Sequence, residues 1–436
     1  MAAGLGTRMR SKRAKHLHPL LGRRVVDWVF DAVAPLGASP LVVVASAETE
    51  AELRAELPQG ATLAFQTDPR GTGDAVAAAR DALAGFDGDV LVLDGAAPLV
   101  TAELLRAFAE EHRAAGAAVS VLSIEPDEPL PYGRVVRDEH GGLCAIVEEA
   151  DATDEQRAIR ELNTSIYVFS SAELWPALEQ LDADNAQGEL YLTDAVRALV
   201  EQGRPGAVYR APEAIAGLGV NNRAELAEAA AELRRRIVRE HMLAGVTIVD
   251  PATTWIEPGV EIESDAVIQP FTILKGTTVV RAGAEVGPHA VVDGAEIGRG
   301  ATVGPFCYIR PDTVLAAGVR AGTFVEIKNS LIGERTKVPH LSYVGDADVG
   351  EGSNIAAGNI MANYPHEPGR PKQRTKIGRN VRTGVHNSFV APVEVGDDAW
   401  IGAGSAITED VPPGALAIAR ARQVNKERRG DGHRDD

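Results

Sequence analysis

The sequence predicts an α/β domain followed by a parallel β-helix, and three observations carry this prediction. In the first half, short apolar runs alternate with helical stretches, which favours a mainly parallel sheet with helices on its faces. Residues 222–243 contain neither glycine nor proline and predict one long helix. From residue 245 onward, helical patterns stop and an aliphatic residue recurs at every sixth position. That period is typical of a parallel β-helix.

The strands and helices of the first half are predicted from the residue composition of each segment. Buried strands are expected where β-branched and aliphatic residues run together, and helices where Ala, Glu, Leu and Arg dominate. The predicted strands are Leu41–Ala45, Val90–Leu93 and Ala117–Ile124, and the predicted helices are Glu48–Leu57, Thr72–Leu83 and Thr101–Ala115. We therefore expect an α/β domain over residues 1–223, a linker helix over 224–244 and a β-helix over 245–436.

The six-residue period is long enough to exclude chance. The aliphatic positions slip by one residue after position 292, and one late member is polar. Each hexad forms one flat side of a coil, and the aliphatic residue points inward to a continuous core. The series is Ile256, Ile262, Ile268, Leu274, Val280, Val286, Val292, then Ile297, Val303, Ile309, Leu315, and later Ile377, Thr383, Phe389, Val395, Ile401 and Ile407.

Bulk properties exclude several classes of protein. The 436-residue chain has a formal net charge of −18, which excludes a general nucleic-acid binder. There are two cysteines, Cys144 and Cys307, far apart in sequence, so we expect a reducing, cytoplasmic environment rather than a disulfide framework. No run of eighteen apolar residues occurs, so we expect no membrane span.

Two segments interrupt the hexad period, Phe324–Tyr343 and the polar, proline-rich Asn363–Thr375. Loops on a rigid scaffold are where functional groups concentrate. Arginine, lysine and tyrosine suit a sugar phosphate, and a histidine among them suits a general base. The candidates near the two segments are Arg310, Lys328, His340, Tyr343, Asn354, Asn363, Tyr364 and Lys372.

These motifs carry a family resemblance. Arg310-Pro311, FVEIKNS, PHLSYVGDADVGEGSNIAAG and ANY resemble the acetyltransferase domain of the bacterial bifunctional N-acetylglucosamine-1-phosphate uridylyltransferase and glucosamine-1-phosphate acetyltransferase family. At the N-terminus, GLGTRM followed by Lys15 and LHPL is similar to the signature of sugar nucleotidyltransferases. The resemblance covers essentially the whole chain. It implies a Rossmann-like nucleotidyltransferase domain, a left-handed β-helix of hexapeptide repeats and a homotrimer that shares its sites between neighbouring subunits.

For the β-helix, the resemblance implies acetyl transfer from acetyl-CoA to glucosamine 1-phosphate. His340 matches the family's general base, Arg310 and Lys328 match its phosphate-binding pair, and Lys372 matches a loop lysine. The remaining matches are sugar contacts at Tyr343 and Asn354, and acetyl-CoA contacts at Ala357, Asn363, Tyr364, Ala403 and Arg420.

For the first domain, the resemblance implies uridylyl transfer from UTP to N-acetylglucosamine 1-phosphate with Mg²⁺. Backbone N–H groups of a glycine-rich loop can hold phosphates, and Lys15 can neutralise their charge. Asn221 matches a ligand of the metal. The UDP-sugar-binding matches are Lys15, Gln66, Gly71, Thr72, Gly133, Glu148, Asn163 and Asn221.

Departures from the family pattern concentrate in the first domain. The aliphatic first strand expected before the glycine-rich loop is missing, so we expect either an upstream translation start or a sheet without its central strand. Ala96 stands at the metal-binding aspartate position and offers Mg²⁺ no oxygen. We therefore expect impaired uridylyl transfer. Other departures are Ala14, Pro69, Ala150 and Ser165 there, and Val385 and a longer 363–375 loop in the β-helix.

Three alternatives stay open at this stage. One is an acyltransferase for a different amino sugar. Another is a non-catalytic scaffold or regulatory subunit of a nucleotidyltransferase and β-helix type, which the altered first domain favours. The third is a zinc site on His340, His366 and His386, although the surrounding Arg, Lys and Tyr suit phosphate better than zinc.

Overall fold

The computed structural model describes residues 1–365, 367 and 369–426. The chain divides into two units, Met1–Leu233 and Arg234–Asp436. None of the helices in the described part of the chain has the length and apolarity that a membrane crossing needs.

The first unit is a mixed α/β domain. Its strands are β1 (Pro19–Leu20), β2 (Arg23–Arg24), β3 (Leu41–Ala45), β4 (Ala61–Phe65), β5 (Asp89–Val92), β6 (Val119–Ile124), β7 (Arg134–Arg137), β8 (Leu143–Val147), β9 (Leu162–Ser170) and β10 (Gly206–Arg210). Its helices are α1 (Val25–Val33), α2 (Glu50–Ala55), α3 (Thr72–Ala77), α4 (Ala102–Ala115), α5 (Asp154–Arg157), α6 (Ser171–Leu178) and α7 (Leu192–Glu201), and α8 (Arg223–Leu243) continues into the second unit.

Local chemistry explains where the helices begin and end. The Thr101 hydroxyl accepts the backbone N–H of Leu104 and caps the start of α4, and Gly116 ends that helix in the left-handed conformation. The helix expected over Thr72–Leu83 stops at Ala77 and continues as a short 3₁₀ turn over Asp81–Leu83. The long helix expected over 222–243 forms as α8.

The main sheet of the first unit is mixed, whereas the strand-helix alternation predicted a mainly parallel one. Strand β9 lies between β5 and β6 and runs antiparallel to both, while β10 pairs parallel with β6. The chain reaches β9 from β6 through the β7–β8 hairpin instead of a long helical crossover, and parallel pairing requires such a crossover.

Strands β3 and β4 form a separate parallel pair, and the first residues of the chain lie between β3 and β5. The Ala2 N–H donates to the Val44 carbonyl, and the Gly95 N–H donates to the Met1 carbonyl, both at 2.8 Å. Beside them is an apolar cavity of about 180 Å³ with Phe30 in its wall. Residues of both β3 and β5 line this cavity.

The second unit is a parallel β-helix built from short strands. They are β11 (Thr247–Ile248), β12 (Trp255–Ile256), β13 (Glu261–Ile262), β14 (Val267–Ile268), β15 (Ile273–Lys275), β16 (Val279–Val280), β17 (Glu285–Val286), β18 (Val291–Asp293), β19 (Glu296–Ile297), β20 (Thr302–Val303), β21 (Tyr308–Ile309), β22 (Val314–Leu315) and β23 (Arg320–Thr323). The series continues with β24 (Glu326–Lys328), β25 (Leu331–Ile332), β26 (Lys337–His340), β27 (Tyr343–Gly345), β28 (Ala347–Val349), β29 (Ile360–Ala362), β30 (Thr375–Ile377), β31 (Arg382–Thr383), β32 (Ser388–Val390), β33 (Val393–Val395), β34 (Trp400–Ile401), β35 (Ala406–Ile407) and β36 (Leu416–Ala417).

These strands stack into three faces. Face 1 runs from β11 through β14 to β26 and resumes in β31, β34 and β36 through a bridge at Asn354; face 2 runs from β12 to β35; face 3 runs from β13 to β33. Ile256 pairs with Leu274, so one coil takes three hexads. The phase slip shortens a coil by one residue, because Val280 pairs with Ile297. The hexad residues are buried, except that Ile262 is partly exposed.

Of the two segments that interrupt the period, one is a loop. The described residues of the segment between β29 and β30 contain no strand, and Val349 pairs with Ile377, 28 residues on, so this segment projects as a loop from the coils. Residues 324–343, expected to interrupt the period, continue the coil through β24, β25 and β26. The period is lost in that segment because shorter coils shift the phase: Leu315 pairs with Ile332, 17 residues on.

Candidate functional site

One edge of the β-helix aligns three of the predicted site residues with Val385, one of the departures from the family pattern. His340, Ala357, Val385 and Ala403 each directly precede the residue that turns the chain from face 1 to face 2. The turn residue's N–H donates to the carbonyl of the coil below, from Gly358 to His340 at 3.4 Å, from His386 to Ala357 at 2.8 Å and from Gly404 to Val385 at 2.9 Å. We call these four residues the corner column. With coils about 4.8 Å apart, it spans roughly 14 Å, enough for an elongated ligand.

A cationic cluster lies on face 2, around the turn from the lower end of the corner column. Arg310 and Lys328 occupy equivalent positions in consecutive coils, because Ile309 pairs with Ile327. The Arg310 guanidinium donates to Glu326 Oε1 at 2.7 Å, and this bond raises its pKa. Lys328 has a pKa below its ordinary value because the Lys372 ammonium of the projecting loop lies beside it. Two adjacent ammonium groups and a guanidinium favour a multiply charged anion such as phosphate.

A buried polar network holds the start of the projecting loop. Asn363 is buried, and its amide nitrogen donates to Tyr343 Oη at 3.2 Å and to the carboxylate of Asp346. Asp346 also accepts from the Asn329 side chain. At the far end of the loop, Arg374 forms an ion pair with Asp348 at 2.6 Å. Both ends of the loop are therefore anchored to the coils, and Asn363 has a fixed orientation.

The other predicted residues lie around this edge. Asn354 is half-buried on face 1, in the same coil as Ala357. The Tyr364 side chain is 71% exposed. Arg420 follows the last strand, and its Cδ would lie 3.6 Å from a Cβ built on Gly404, which places it at the upper end of the corner column. Of the three histidines considered for zinc, His366 lies outside the described residues.

In the first unit, the glycine-rich loop places two cations beside Asn221. Arg8 Nη2 donates to Asn221 Oδ1 at 3.1 Å, and Lys15 Nζ lies 3.5 Å from the same oxygen. Lys15 Nζ also forms an ion pair with Asp94 Oδ2 at 2.9 Å. Burial raises the pKa of Asp94, but Lys15 and the Ala96 N–H stabilise the carboxylate, so its pKa is lowered overall.

Two further groups of predicted residues come together in this unit. Gly71 immediately precedes α3 with a φ of 124°, and a Cβ there would lie 2.5 Å from the Leu190 carbonyl oxygen, so no side chain fits. The Gln66 amide donates to the Gly71 carbonyl at 3.1 Å, and the Thr72 hydroxyl accepts the Leu192 N–H at 2.9 Å. These contacts tie the stretch that carries Gln66, Gly71 and Thr72 to the start of α7.

The second group surrounds Gly133. A Cβ at Gly133 would lie 3.4 Å from Glu148 Oε2 and 3.5 Å from Asn163 Cβ, so the three predicted residues meet. Burial raises the pKa of Glu148, although the Thr193 hydroxyl donates to it at 3.2 Å. The Asn163 amide nitrogen donates to Tyr167 Oη at 2.7 Å. The arrangement presents a carboxyl group and an amide to a polar ligand.

The residues beside Asn221 do not fit Mg²⁺. This ion usually takes one or two protein carboxylates, and phosphate and water oxygens complete its octahedral shell. The Asp94 carboxylate here already pairs with the Lys15 ammonium, which also approaches Asn221, and Ala96, fully buried among apolar side chains, offers no oxygen. In the part of the chain that the structure describes, no group of three His, Cys, Asp or Glu residues is placed to hold a metal.

Comparison with known proteins identifies the family. Residues 1–202 match the MobA-like NTP transferase domain family. Over 98% of this chain, the protein named Bifunctional protein GlmU is 44% identical in Corynebacterium efficiens, 43% in Geobacillus sp. (strain WCH70) and 46% in Mycobacterium bovis, with 92%, 96% and 90% of those proteins covered. The chain belongs to the GlmU family. The resemblance inferred from the motifs is therefore confirmed, and so is the fold class of a nucleotidyltransferase domain followed by a parallel β-helix.

The structure of this GlmU-family chain adds two residues that the sequence analysis did not single out: Asp346 orients Asn363, and Glu326 pairs with Arg310. It also shows that Asp94, two residues before Ala96, pairs with Lys15. Asp346 and Glu326 both lie within motifs that carried the resemblance. Their roles depend on which side chains meet across coils or strands, and neither periodicity nor spacing reports such contacts.

Proposed function

We propose that the β-helix of this chain transfers the acetyl group of acetyl-CoA to the amine of glucosamine 1-phosphate. One observation carries the proposal: the corner column begins at His340 and lies around one turn from the cluster of Arg310, Lys328 and Lys372. A thioester ligand along the column and a phosphate on the cluster would bring the acetyl carbon and the sugar amine together near His340. Tyr343 and Asn354 would contact the sugar.

The chemistry requires a base at this point. The neutral amine of the sugar attacks the thioester carbonyl carbon, forming a C–N bond, and the C–S bond breaks to release CoA as its thiolate. The exposed imidazole of His340 accepts the proton that the nitrogen loses, which prevents reversal of the attack. That proton then reaches the CoA thiolate and yields the free thiol. Asn363, held by Asp346, and Tyr364 would contact the acyl donor, as would Ala403 and Arg420.

The first domain carries the framework for uridylyl transfer from UTP to N-acetylglucosamine 1-phosphate. Gln66, Gly71 and Thr72 would bind the uracil, and Gly133, Glu148 and Asn163 would bind the sugar. Because the site does not fit Mg²⁺, we infer that this second reaction is impaired. The product of the β-helix would then be the main product of the chain.

A homotrimer is part of the proposal. Phe271, His289, Phe306 and Phe324 stack along the same edge of the β-helix below His340, with ring centroids 4.7 to 5.3 Å apart. The three phenylalanines are each about half exposed. A continuous exposed apolar ladder usually marks an interface. Phe306→Asp is expected to convert the trimer to a monomer, and light scattering measures the change in mass. An unchanged mass would contradict the proposed trimer.

Thiol release from acetyl-CoA tests the acetyl transfer. Wild-type chain should release thiol only when glucosamine 1-phosphate is present, and His340→Ala should lose about 10²- to 10⁴-fold of that rate. His140→Ala, an exposed histidine on a turn of the first domain, is the control and should keep the full rate. No sugar-dependent release from wild type would overturn the proposal and favour a non-catalytic scaffold.

A further inference from the structure

In the altered metal region of the first domain, a side-chain ammonium lies where a cation would have to bind. Lys15 Nζ is 2.9 Å from Asp94 Oδ2 and 3.5 Å from Asn221 Oδ1. Lys15 therefore contacts a side-chain oxygen of each of these two residues. A divalent cation between them would have to displace Lys15.

The charges around this point also oppose a second cation. Arg8 Nη2 donates to Asn221 Oδ1 at 3.1 Å, so that oxygen already has two cationic neighbours. The other oxygen of Asp94 accepts the Ala96 N–H at 3.0 Å, which fixes the carboxylate toward Lys15. Like charges within a few ångströms repel strongly in a site that is partly shielded from water, and the exposed fractions of Lys15 and Asp94 are 17% and 24%.

The residues expected to bind the base and the sugar are held in place by contacts among protein groups. Gln66 bonds to Gly71 and to Asp74 at 3.1 and 2.9 Å, and Glu148 and Asn163 face Gly133. None of these contacts involves Asp94 or Lys15. The contacts that position the residues expected to receive a base and a sugar are therefore present, while the position between Asp94 and Asn221 is filled by the protein's own cation.

We propose that Lys15 replaces the divalent cation in this domain, so that the site binds a uridine diphosphate sugar without metal. The inference rests on the proposed function, since it assumes that the first domain receives a uridine nucleotide. Asp94 acts as an internal anion that pairs with Lys15 in the free protein. The ligand's phosphates take over this ammonium on binding, and Arg8 assists. The domain then holds the sugar nucleotide as a metal-independent binding site.

Calorimetric titration of the full chain with UDP-N-acetylglucosamine tests this directly. The affinity in EDTA should equal that in Mg²⁺ to within about twofold. Binding that requires Mg²⁺ would overturn the inference but keep the proposed ligand. An absence of binding in both buffers would overturn the inference and the proposed role of this domain together. Thiol release by the same preparation reports separately on the β-helix.

Two variants examine the roles of Asp94 and Ala96. Asp94→Asn keeps an acceptor for the Ala96 N–H but releases Lys15, and should tighten metal-free binding about threefold. Asp31→Asn, which removes an exposed carboxylate paired with Arg23, is the control and should change nothing. Ala96→Asp should make binding depend on Mg²⁺ if it folds. An affinity of Asp94→Asn equal to or weaker than that of wild type would contradict the internal-anion role.

Discussion

Replacing Asp346 by alanine should destabilise the β-helix where the projecting loop leaves it. Asp346 is 5% exposed and accepts hydrogen bonds from the side chains of Asn329 and Asn363. Its backbone also has a left-handed φ of 50°, which aspartate and asparagine tolerate better than alanine. Two hydrogen bonds to a charged group at about 1.5 kcal/mol each, with about 1 kcal/mol for the backbone, give a loss of about 4 kcal/mol.

The consequence for activity follows from Asn363. Without the carboxylate, its amide keeps the Tyr343 hydroxyl at 3.2 Å as a partner but loses its second anchor. The KM for acetyl-CoA should therefore rise, while the KM for glucosamine 1-phosphate should change less. Asp346→Asn retains the backbone conformation and one acceptor oxygen, so about half the loss in stability is expected.

Urea unfolding at fixed protein concentration measures the stability change, and initial rates at varied acetyl-CoA measure the binding change. The order of stability should be wild type, then Asp346→Asn, then Asp346→Ala. A free energy of unfolding for Asp346→Ala within about 1 kcal/mol of wild type would refute the assigned role, because buried donors without acceptors cost more than that.

Three further predictions concern other parts of the chain. Burial, only partly offset by Asp94, lowers the pKa of His16 to about 3. Acid therefore protonates His16 in the unfolded state first, and the stability of the fold decreases as the pH drops from about 6.5. His16→Leu should remove about 2 kcal/mol of this loss between pH 7 and 5, measured by thermal unfolding. Ile309→Ala should cost about 3 kcal/mol in urea unfolding because Ile309 is fully buried, whereas Val314→Ala on the outer surface should cost under about 0.5 kcal/mol; equal losses would contradict the hexad assignment. Val385→Ser should lower the KM for acetyl-CoA up to about fivefold if the corner column contacts the donor, and an unchanged KM would argue against that contact.

The hexad phase made the interior of the β-helix predictable, because an inward side chain every sixth position is a local property of each coil. Ile256, Leu274 and Ile309 are buried as expected. The corner column was predictable from the sequence only in part. His340 and Ala403 were expected at the site, but their alignment depends on the number of residues in each coil, which the interrupted period over residues 324–343 did not give.

Contacts between segments that are distant in the chain could not be predicted from the sequence. The pairing of Lys15 with Asp94 joins residues 79 positions apart, and nothing in either motif specifies it. The antiparallel placement of β9 between β5 and β6 was missed for the same reason, since strand order is set by how helices and hairpins pack on the sheet and not by the strand's own residues.

One measurement tests the account as a whole. The full chain is incubated with acetyl-CoA, glucosamine 1-phosphate, UTP and Mg²⁺, and the products are quantified by mass spectrometry. We predict that N-acetylglucosamine 1-phosphate accumulates and that little of it becomes UDP-N-acetylglucosamine. An absence of acetylated sugar would contradict the function assigned to the β-helix, and rapid conversion to the sugar nucleotide would contradict the exclusion of the metal by Lys15.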